Sequence, residues 1–147
     1  MSEPETKETF SYAFGTGVWV KLSNIIWWPG IVVDPLTIPQ ELLDYVKTVE
    51  YIAVVKFEQD NKYHVVGIND QIFLYSCDRK MEFVEKGLSL YNHQKKGLPV
   101  VGKFDMNNFK KEVISMECLI GGDMCIFEKL EEKQETFMSI IQQFYSN

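Results

Sequence analysis

Two adjacent tryptophans and a proline, Trp27-Trp28-Pro29, stand between two short runs rich in β-branched residues. Large rings side by side are costly to leave in water, so this segment has to pack against other apolar side chains. Residues 18–22 alternate between apolar side chains on one face and Trp and Lys on the other, as in a half-buried strand. A second strand is predicted over residues 29–33. The segment therefore predicts a β-rich core built around the tryptophans.

Three further strands are predicted downstream of this pair. Residues 51–57 have the strongest strand pattern in the chain, and residues 63–66 follow across a turn signal, which together predict a hairpin. Residues 72–75 have a fifth strand pattern. Between the second and third strands, residues 37–49 have apolar side chains at helical spacing and a proline suited to a first helical turn, which predicts an inserted helix. Five short strands at close intervals are typical of a small β-barrel.

After the fifth strand the hydrophobic period changes from two residues toward 3.6, which predicts helices. One helix is expected over residues 81–92, and Asp105 is a good N-cap for another over residues 106–118. Gly121-Gly122 precedes a last, amphipathic helix. Its apolar stripe consists of Phe127, Leu130, Phe137, Ile141 and Phe144. Such a stripe packs either on the rest of the chain or on another protein, and the pattern leaves both open.

Length and composition favour one domain with a core of its own, because a chain of 147 residues buries roughly 70% of its unfolded surface. The three cysteines are an odd number without a CxxC pair, so neither a disulfide framework nor a zinc site is expected. His64 and His93 have no nucleophile or carboxylate at a recognisable spacing. An enzyme, a cofactor and a bound metal are therefore not expected. No apolar run is long enough to span a membrane, and the N-terminus lacks an apolar signal region.

The net charge of −6 is unevenly distributed. Residues 15–115 carry twelve basic and twelve acidic side chains, so the excess acid lies at the two ends. We expect an acidic, flexible N-terminus over residues 1–12, a neutral domain over residues 13–118 and a C-terminal amphipathic helix in residues 119–147. Phosphate contacts need local positive potential, so nucleic acid would bind only where basic side chains gather.

Residues 15–33 resemble, without a gap, the signature of the PWWP domain, a Tudor-like chromatin reader whose first strand leads through a short arch into Pro-Trp-Trp-Pro. Two positions depart from that signature. Ile26 stands where the family most often has proline, and Ile25 stands where it usually has an aromatic ring. Val55-Lys56-Phe57 is similar to the family's third strand. An alignment one residue earlier, which puts Lys56 in the place of Phe57, also stays open.

The resemblance extends over about residues 14–118 and implies an α+β fold. The expected fold is a five-stranded SH3-like (Tudor-like) β-barrel over residues 15–76, with an inserted helix between strands 2 and 3. A C-terminal helical extension follows over residues 78–118. By the same resemblance, the chain is expected in the nucleus, bound to chromatin.

In PWWP domains an aromatic cage at the rim of the barrel holds a methylated histone lysine, because ring faces compete well with water for a methylated ammonium. The resemblance implies that the corresponding positions here are Leu22, Ile25, Trp28 and Phe57, with Asp60 as a rim carboxylate. Of these, Trp28 and Phe57 supply rings. At about 0.5–2 kcal/mol per cation–π contact they offer about 1–4 kcal/mol, whereas a millimolar complex already requires about 4 kcal/mol. A methylated histone tail is therefore expected to bind weakly.

The resemblance also implies a DNA contact through Lys21, Lys95 and Lys96. Ser23 and Asp70 occupy places where strongly DNA-binding relatives often have lysine. If each of the three lysines neutralises one phosphate, the logarithmic salt slope is only about −2.7. The DNA binding expected is weak and non-specific, and it would assist the histone contact.

A second hypothesis treats the domain as a protein-interaction scaffold, in which the apolar rim or the last helix binds a partner subunit of a chromatin complex. It is motivated by the missing ring at Ile25, the acidic charge and the apolar stripe. Under both hypotheses Trp19 and Trp27 are expected to pack in the core, because large rings dominate small cores.

Overall fold

The structure, a computed structural model, describes residues 12–98 and 104–146, apart from the side chains of Phe137, Phe144, Tyr145 and Ser146. The predicted N-terminal segment, residues 1–12, lies outside the described residues except for Tyr12. Within the described part, five antiparallel strands form one sheet. They are β1 (Gly17–Lys21), β2 (Trp27–Val33), β3 (Tyr51–Phe57), β4 (Lys62–Gly67) and β5 (Ile72–Leu74).

The strands pair in the order β4-β3-β2-β1-β5. The tryptophan segment forms the β1–β2 hairpin, in which Trp28 is opposite Val20 and Pro29 is opposite Trp19. The N–H of Leu22 donates to the carbonyl of Ile26 over 2.8 Å and closes the arch. In the described residues β4 and β5 are the two edges and do not pair with each other. The five-stranded antiparallel sheet is confirmed, and its closure into a barrel stays a prediction.

β1 was predicted to be half-buried, and this is wrong because the strand is buried on both faces. Val18, Trp19 and Val20 are all fully buried. The ring of Trp19 lies against two helical rings, with centroid distances of 5.3 Å to Phe83 and 6.2 Å to Phe109. Strand periodicity alone does not reveal that helices cover the second face of the sheet.

The inserted helix is shorter than predicted. A 3₁₀ turn, Pro35–Thr37, precedes α1 (Gln40–Val46). The carboxylate of Asp34 caps the turn by accepting from the N–H of Leu36 over 2.9 Å. Only seven residues of the predicted 37–49 are α-helical, and α1 packs its buried Val46 on a small cluster separate from the main core.

Three helices follow the sheet: α2 (Lys80–Lys95), α3 (Met106–Ile120) and α4 (Ile126–Ser146). Asp105 is the N-cap of α3, as predicted, and accepts from the N–H of Asn107 over 3.0 Å. Gly121 ends α3 in the left-handed region with φ 69°. None of the described helices combines the length and the apolar character that a bilayer span requires.

Sheet and helices share one core. Trp19, Trp27 and Trp28 belong to the same buried cluster as helical side chains of α2, α3 and α4. Gly87 brings α2 and α3 together, since a Cβ there would lie 2.1 Å from the ring of Phe109. Trp19 and Trp27 are core residues, as predicted.

A buried carboxylate, Glu117, ties the helices to the sheet. It accepts from the Tyr75 hydroxyl, from Lys80 Nζ over 2.7 Å and from the N–H of Asp123 over 2.8 Å. Burial opposes its ionisation, but these bonds outweigh burial and lower the pKa of Glu117. The charged carboxylate therefore stabilises the packing of α2 and α3 on the end of β5.

Candidate ligand-binding site

A cavity of about 280 Å³ brings together four of the five predicted cage residues: Leu22, Trp28, Phe57 and Asp60. Leu22 follows β1, Trp28 lies on β2, Phe57 ends β3 and Asp60 lies in the turn before β4. Ile25 is not among the residues that line the cavity. It is 42% exposed in the arch between β1 and β2.

The two predicted rings lie close together but are largely buried. The ring centroids of Trp28 and Phe57 are 6.4 Å apart with an interplanar angle of 58°, and the residues are only 2% and 5% exposed. Gly30 allows Phe57 to approach β2, because a Cβ at position 30 would lie 2.8 Å from Phe57 Cδ1 and 2.4 Å from Val55 Cγ1. The glycine next to the tryptophan signature therefore leaves room for Phe57 and Val55 to pack against β2.

A third ring, which the sequence analysis did not identify, comes from the segment before α3. Phe104 lines the cavity, and its ring centroid lies 6.0 Å from that of Trp28. Gln94 on α2 fixes this segment by two hydrogen bonds: its Nε2 donates to the Phe104 carbonyl over 2.7 Å, and its Oε1 accepts from the N–H of Met106 over 2.8 Å. A hydrophobic staple has one apolar residue just before the N-cap and a second apolar residue four positions after it. Phe104, Asp105 and Phe109 fit that pattern.

The β4 side of the cavity contributes Lys62, Tyr63 and His64. The His64 ring stacks on Phe57 with centroids 6.3 Å apart and an interplanar angle of 22°. Burial lowers the pKa of His64, and the nearby Asp70 only partly opposes it. Near neutral pH the imidazole therefore serves as an uncharged ring behind Phe57.

Two carboxylates line the same cavity, Asp60 and Asp105. Asp60 Oδ1 accepts from Asn108 Nδ2, and Asp105 Oδ1 accepts from the N–H of Asn107 as the cap of α3. Each aspartate has a second carboxylate oxygen with further acceptor capacity. With Lys62 as the one described cation in the lining, this side of the site is acidic and suited to a cationic group.

A third carboxylate supports the turn that carries Asp60. Glu112 on α3 is 1% exposed, and its Oε2 accepts from the N–H of Gln59 over 2.7 Å. Burial raises its pKa to about 7; the bond from Gln59 opposes this shift, and the charge of Asp60 adds to it. The charge of Glu112, which lies next to the site, therefore changes near neutral pH.

Trp28 also has an indole N–H that is buried and finds no hydrogen-bond partner among the described residues. The indole of Trp19, by contrast, donates to the Tyr75 carbonyl over 2.9 Å. A buried donor without a partner costs about 1–3 kcal/mol.

Comparison with known families decides where the chain belongs. The family model described as the PWWP domain matches residues 15–113, more than half of the chain. The chain belongs to the PWWP family. PWWP domains are non-enzymatic chromatin readers, typically associated with chromatin.

Two other comparisons add little to this assignment. No match is found among the curated proteins. The crystal structure of WHSC1L1-PWWP2 is similar with a TM-score of 0.44 and 20% identity, over 88% of this chain and 96% of that one. At this score the similarity adds nothing to the membership that the family model establishes.

In this PWWP domain the predicted DNA contacts lie in two places. Lys21 is exposed on β1, with Nζ 5.8 Å from the centroid of the Trp27 ring. Lys95 and Lys96, the basic pair, lie at the end of α2 in a polar groove of about 650 Å³. The groove is also lined by Glu131 and Glu135 of α4. Glu131 pairs with Lys110 over 3.9 Å, and both carboxylates lower the local positive potential that a phosphate contact at the basic pair needs.

The predicted partner-binding stripe of α4 is divided. Phe127 and Leu130 are buried in the chain's own core, where the Phe127 ring lies 6.3 Å from that of Phe109. Ile141 is half-buried. The side chains of Phe137 and Phe144 lie outside those that the structure describes. The first part of the stripe thus holds α4 on this PWWP domain and is not free to contact another protein.

Among the described residues, no group of three or more His, Cys, Asp or Glu side chains is arranged to hold a metal ion. Cys118 and Cys125 are exposed and Cys77 is half-buried, and all three are free thiols.

Proposed function

We propose that this PWWP domain reads a methylated histone lysine, with Trp28 and Phe57 as the ring walls, Leu22 as an apolar wall and Asp60 as a rim carboxylate. The observation that carries the proposal is that these four side chains line one cavity. The typical association of the family with chromatin supports a nuclear location for this chain.

The size of the cavity suits the ligand. At about 30 Å³ per water molecule, a cavity of about 280 Å³ has room for roughly nine waters. A trimethylammonium group has four heavy atoms and fits with space for part of the lysine side chain. Methylation removes N–H donors and spreads the positive charge, so aromatic faces and a carboxylate hold the group better than water does.

Affinity from this cavity alone is low. Two rings supply about 1–4 kcal/mol, and a dissociation constant of 1 mM needs about 4 kcal/mol. A second, simultaneous contact with nucleosomal DNA would raise the apparent affinity through effective concentration. Lys21 and the basic pair are the proposed DNA contacts, with a logarithmic salt slope of about −2.7.

A peptide titration followed by NMR tests the histone claim. The resonances of Trp28 and Phe57 are expected to shift more with a methyllysine histone peptide than with the same peptide unmodified. Equal shifts with the two peptides, or no shift at millimolar peptide, would contradict the proposal. The matched unmodified peptide controls for binding by sequence and charge alone.

A second candidate function is the binding of a partner subunit through the later part of α4. Met138 and Ile140 on this helix are 60% and 59% exposed, and Met138 lines an apolar groove of about 450 Å³ together with Leu130. Substituting Met138→Glu and Ile140→Glu keeps the buried residues of α4 and is expected to abolish capture of such a subunit. Unchanged capture by the folded double variant would argue against this part of α4.

A further inference from the structure

We propose that Phe104 supplies the ring that the family usually has at the position of Ile25, and that Asp60 and Asp105 make the site prefer a methylated lysine that keeps an N–H. The preferred ligand is then dimethyl- or monomethyl-lysine over trimethyl-lysine. This inference rests on the proposed function and names the ligand state and the additional residues of the same site.

The first step is the origin of the third ring. Ile25 is exposed in the β1–β2 arch and does not line the cavity, whereas Phe104 lines it together with Trp28 and Phe57. Phe104 lies 76 positions from Trp28 in the chain, yet their ring centroids are 6.0 Å apart. The cage is therefore completed from the helical part of the domain and not from the arch.

The second step is that Phe104 is held in place before a ligand arrives. Gln94 bonds to the carbonyl of Phe104 and to the N–H of Met106, and Asp105 between them caps α3. These bonds fix the backbone that follows the ring. A ring that is already positioned loses less conformational entropy on binding, so more of its contact free energy appears as affinity. Gln94 is thus a positioning residue for the site.

The third step is the selection among methylation states. Dimethyl- and monomethyl-ammonium groups keep an N–H that donates a charge-assisted hydrogen bond to a carboxylate, and trimethylammonium has none. Asp60 and Asp105 each use one oxygen within the protein and keep acceptor capacity on the other. Lys62 is exposed and is outnumbered by the two carboxylates of the lining.

The magnitudes are modest because the site is partly open to solvent. Loss of one cation–π contact should weaken binding of every methylated form about fivefold. One charge-assisted hydrogen bond at a partly exposed rim should favour dimethyl-lysine over trimethyl-lysine by about fivefold as well. Both effects lie within the range of an NMR titration of a millimolar or sub-millimolar complex.

The test of the ring uses Phe104→Leu, which keeps an apolar side chain at this half-buried position and removes the π-face. Its matched control is Phe14→Leu, the same change at a 62% exposed ring that does not line the cavity. Titration of the complete chain with dimethyl-lysine peptide should give about fivefold weaker binding for Phe104→Leu and no change for Phe14→Leu. Equal weakening in both variants, or no weakening in Phe104→Leu, overturns the role of Phe104.

The test of selectivity uses Asp60→Asn and Asp105→Asn, each titrated with dimethyl- and trimethyl-lysine peptides. Asparagine at 60 still accepts from Asn108, and asparagine at 105 still caps α3 well, so both variants should fold. The preference for the dimethyl form should fall toward unity in at least one variant. A wild-type protein that prefers trimethyl-lysine, or a preference unchanged in both variants, overturns the claim of selectivity.

The two proposals fail in different ways. If the wild-type chain binds no methylated peptide more strongly than the unmodified one, the proposed function and this inference are both wrong. If it binds methylated peptides but Phe104→Leu binds them equally well, only the inference about the ring fails. In every variant, a heteronuclear NMR spectrum with the dispersion of the wild type establishes that the fold is retained.

Discussion

Replacing Glu112 by glutamine should stabilise the domain at alkaline pH and leave it unchanged in mild acid. Glu112 is almost fully buried, and burial raises its pKa to about 7 from the ordinary value of 4.5. In the pH window between these values, the unfolded chain releases a proton that the folded chain keeps. The free energy of unfolding therefore falls as pH rises through this window and stays at the lower level above it.

The size of the effect follows from the width of the window. A shift of one pKa unit corresponds to about 1.4 kcal/mol, so the shift of Glu112 from 4.5 to about 7 corresponds to on the order of 3 kcal/mol. A glutamine keeps a side-chain oxygen for the N–H of Gln59 but does not ionise. The variant Glu112→Gln should therefore match the wild type near pH 4 and exceed it by about 3 kcal/mol near pH 8.

Urea unfolding at several pH values, followed by tryptophan fluorescence, measures this difference. The pKa of His64 is lowered in the folded chain, so His64 makes the free energy of unfolding change with pH in the opposite direction. Its contribution to stability is lost as pH falls below the pKa that the histidine has in the unfolded chain. That contribution cancels when variant and wild type are compared at each pH. Glu50→Gln, at an exposed loop position, is the matched control and should change stability by less than about 0.5 kcal/mol. A Glu112→Gln variant no more stable than wild type at pH 8 would refute the reasoning.

Three other predictions concern the helices. Gly87→Ala would push a Cβ into the ring of Phe109 and should cost about 1–3 kcal/mol in urea unfolding. Glu117→Gln should cost about 2 kcal/mol at pH 7. Because the pKa of Glu117 is lowered, that cost should shrink as pH falls below 4.5. The double variant Glu131→Gln, Glu135→Gln removes the carboxylates beside the basic pair and should strengthen DNA binding, measured by fluorescence anisotropy at low salt.

Each of these has a contradicting result. A Gly87→Ala variant as stable as wild type would mean that α2 and α3 are not in close contact there, and Ser89→Ala on the exposed side of α2 is the control. A cost for Glu117→Gln that does not change with pH would argue against an ionised carboxylate in the core. Equal strengthening of DNA binding by Glu128→Gln with Glu132→Gln, which lie outside the groove, would indicate an effect of net charge alone.

Much of the fold follows from local signals. Residues 51–57 are dense in β-branched side chains and were predicted as the strand that the structure shows, Tyr51–Phe57. Asp105 could be predicted as an N-cap because its carboxylate accepts from the backbone N–H two positions later, which is a local contact. These features depend on neighbours in the chain, so a pattern of residues is enough to find them.

The features that were missed depend on contacts far apart in the chain. The alternation along β1 failed because Phe83 and Phe109, more than sixty positions downstream, cover the face of Trp19. The pattern of the α4 stripe leaves open whether the helix packs on this chain or on another protein, since amphipathicity does not specify which surface the stripe meets. In the structure Phe127 is buried in the chain's own core.

The candidate site shows the same division. The tryptophan signature led to Leu22 and Trp28, and the third-strand resemblance led to Phe57 and Asp60; all four line one cavity. Ile25 was predicted to line the cage because it aligns with an aromatic position of the family. In the structure this aliphatic side chain is exposed in the arch and does not line the cavity. The staple pattern around Asp105 predicts contact of Phe104 with its own helix and carries no information about Trp28.

The central claim is that the cavity between β2, β3 and the start of α3 holds a methylated ammonium group. Intermolecular nuclear Overhauser effects from ¹³C-labelled N-methyl groups of a dimethyl-lysine peptide test it directly. We predict cross-peaks to the ring protons of Trp28, Phe57 and Phe104. Binding of the peptide with cross-peaks only to residues outside this cavity would contradict the account.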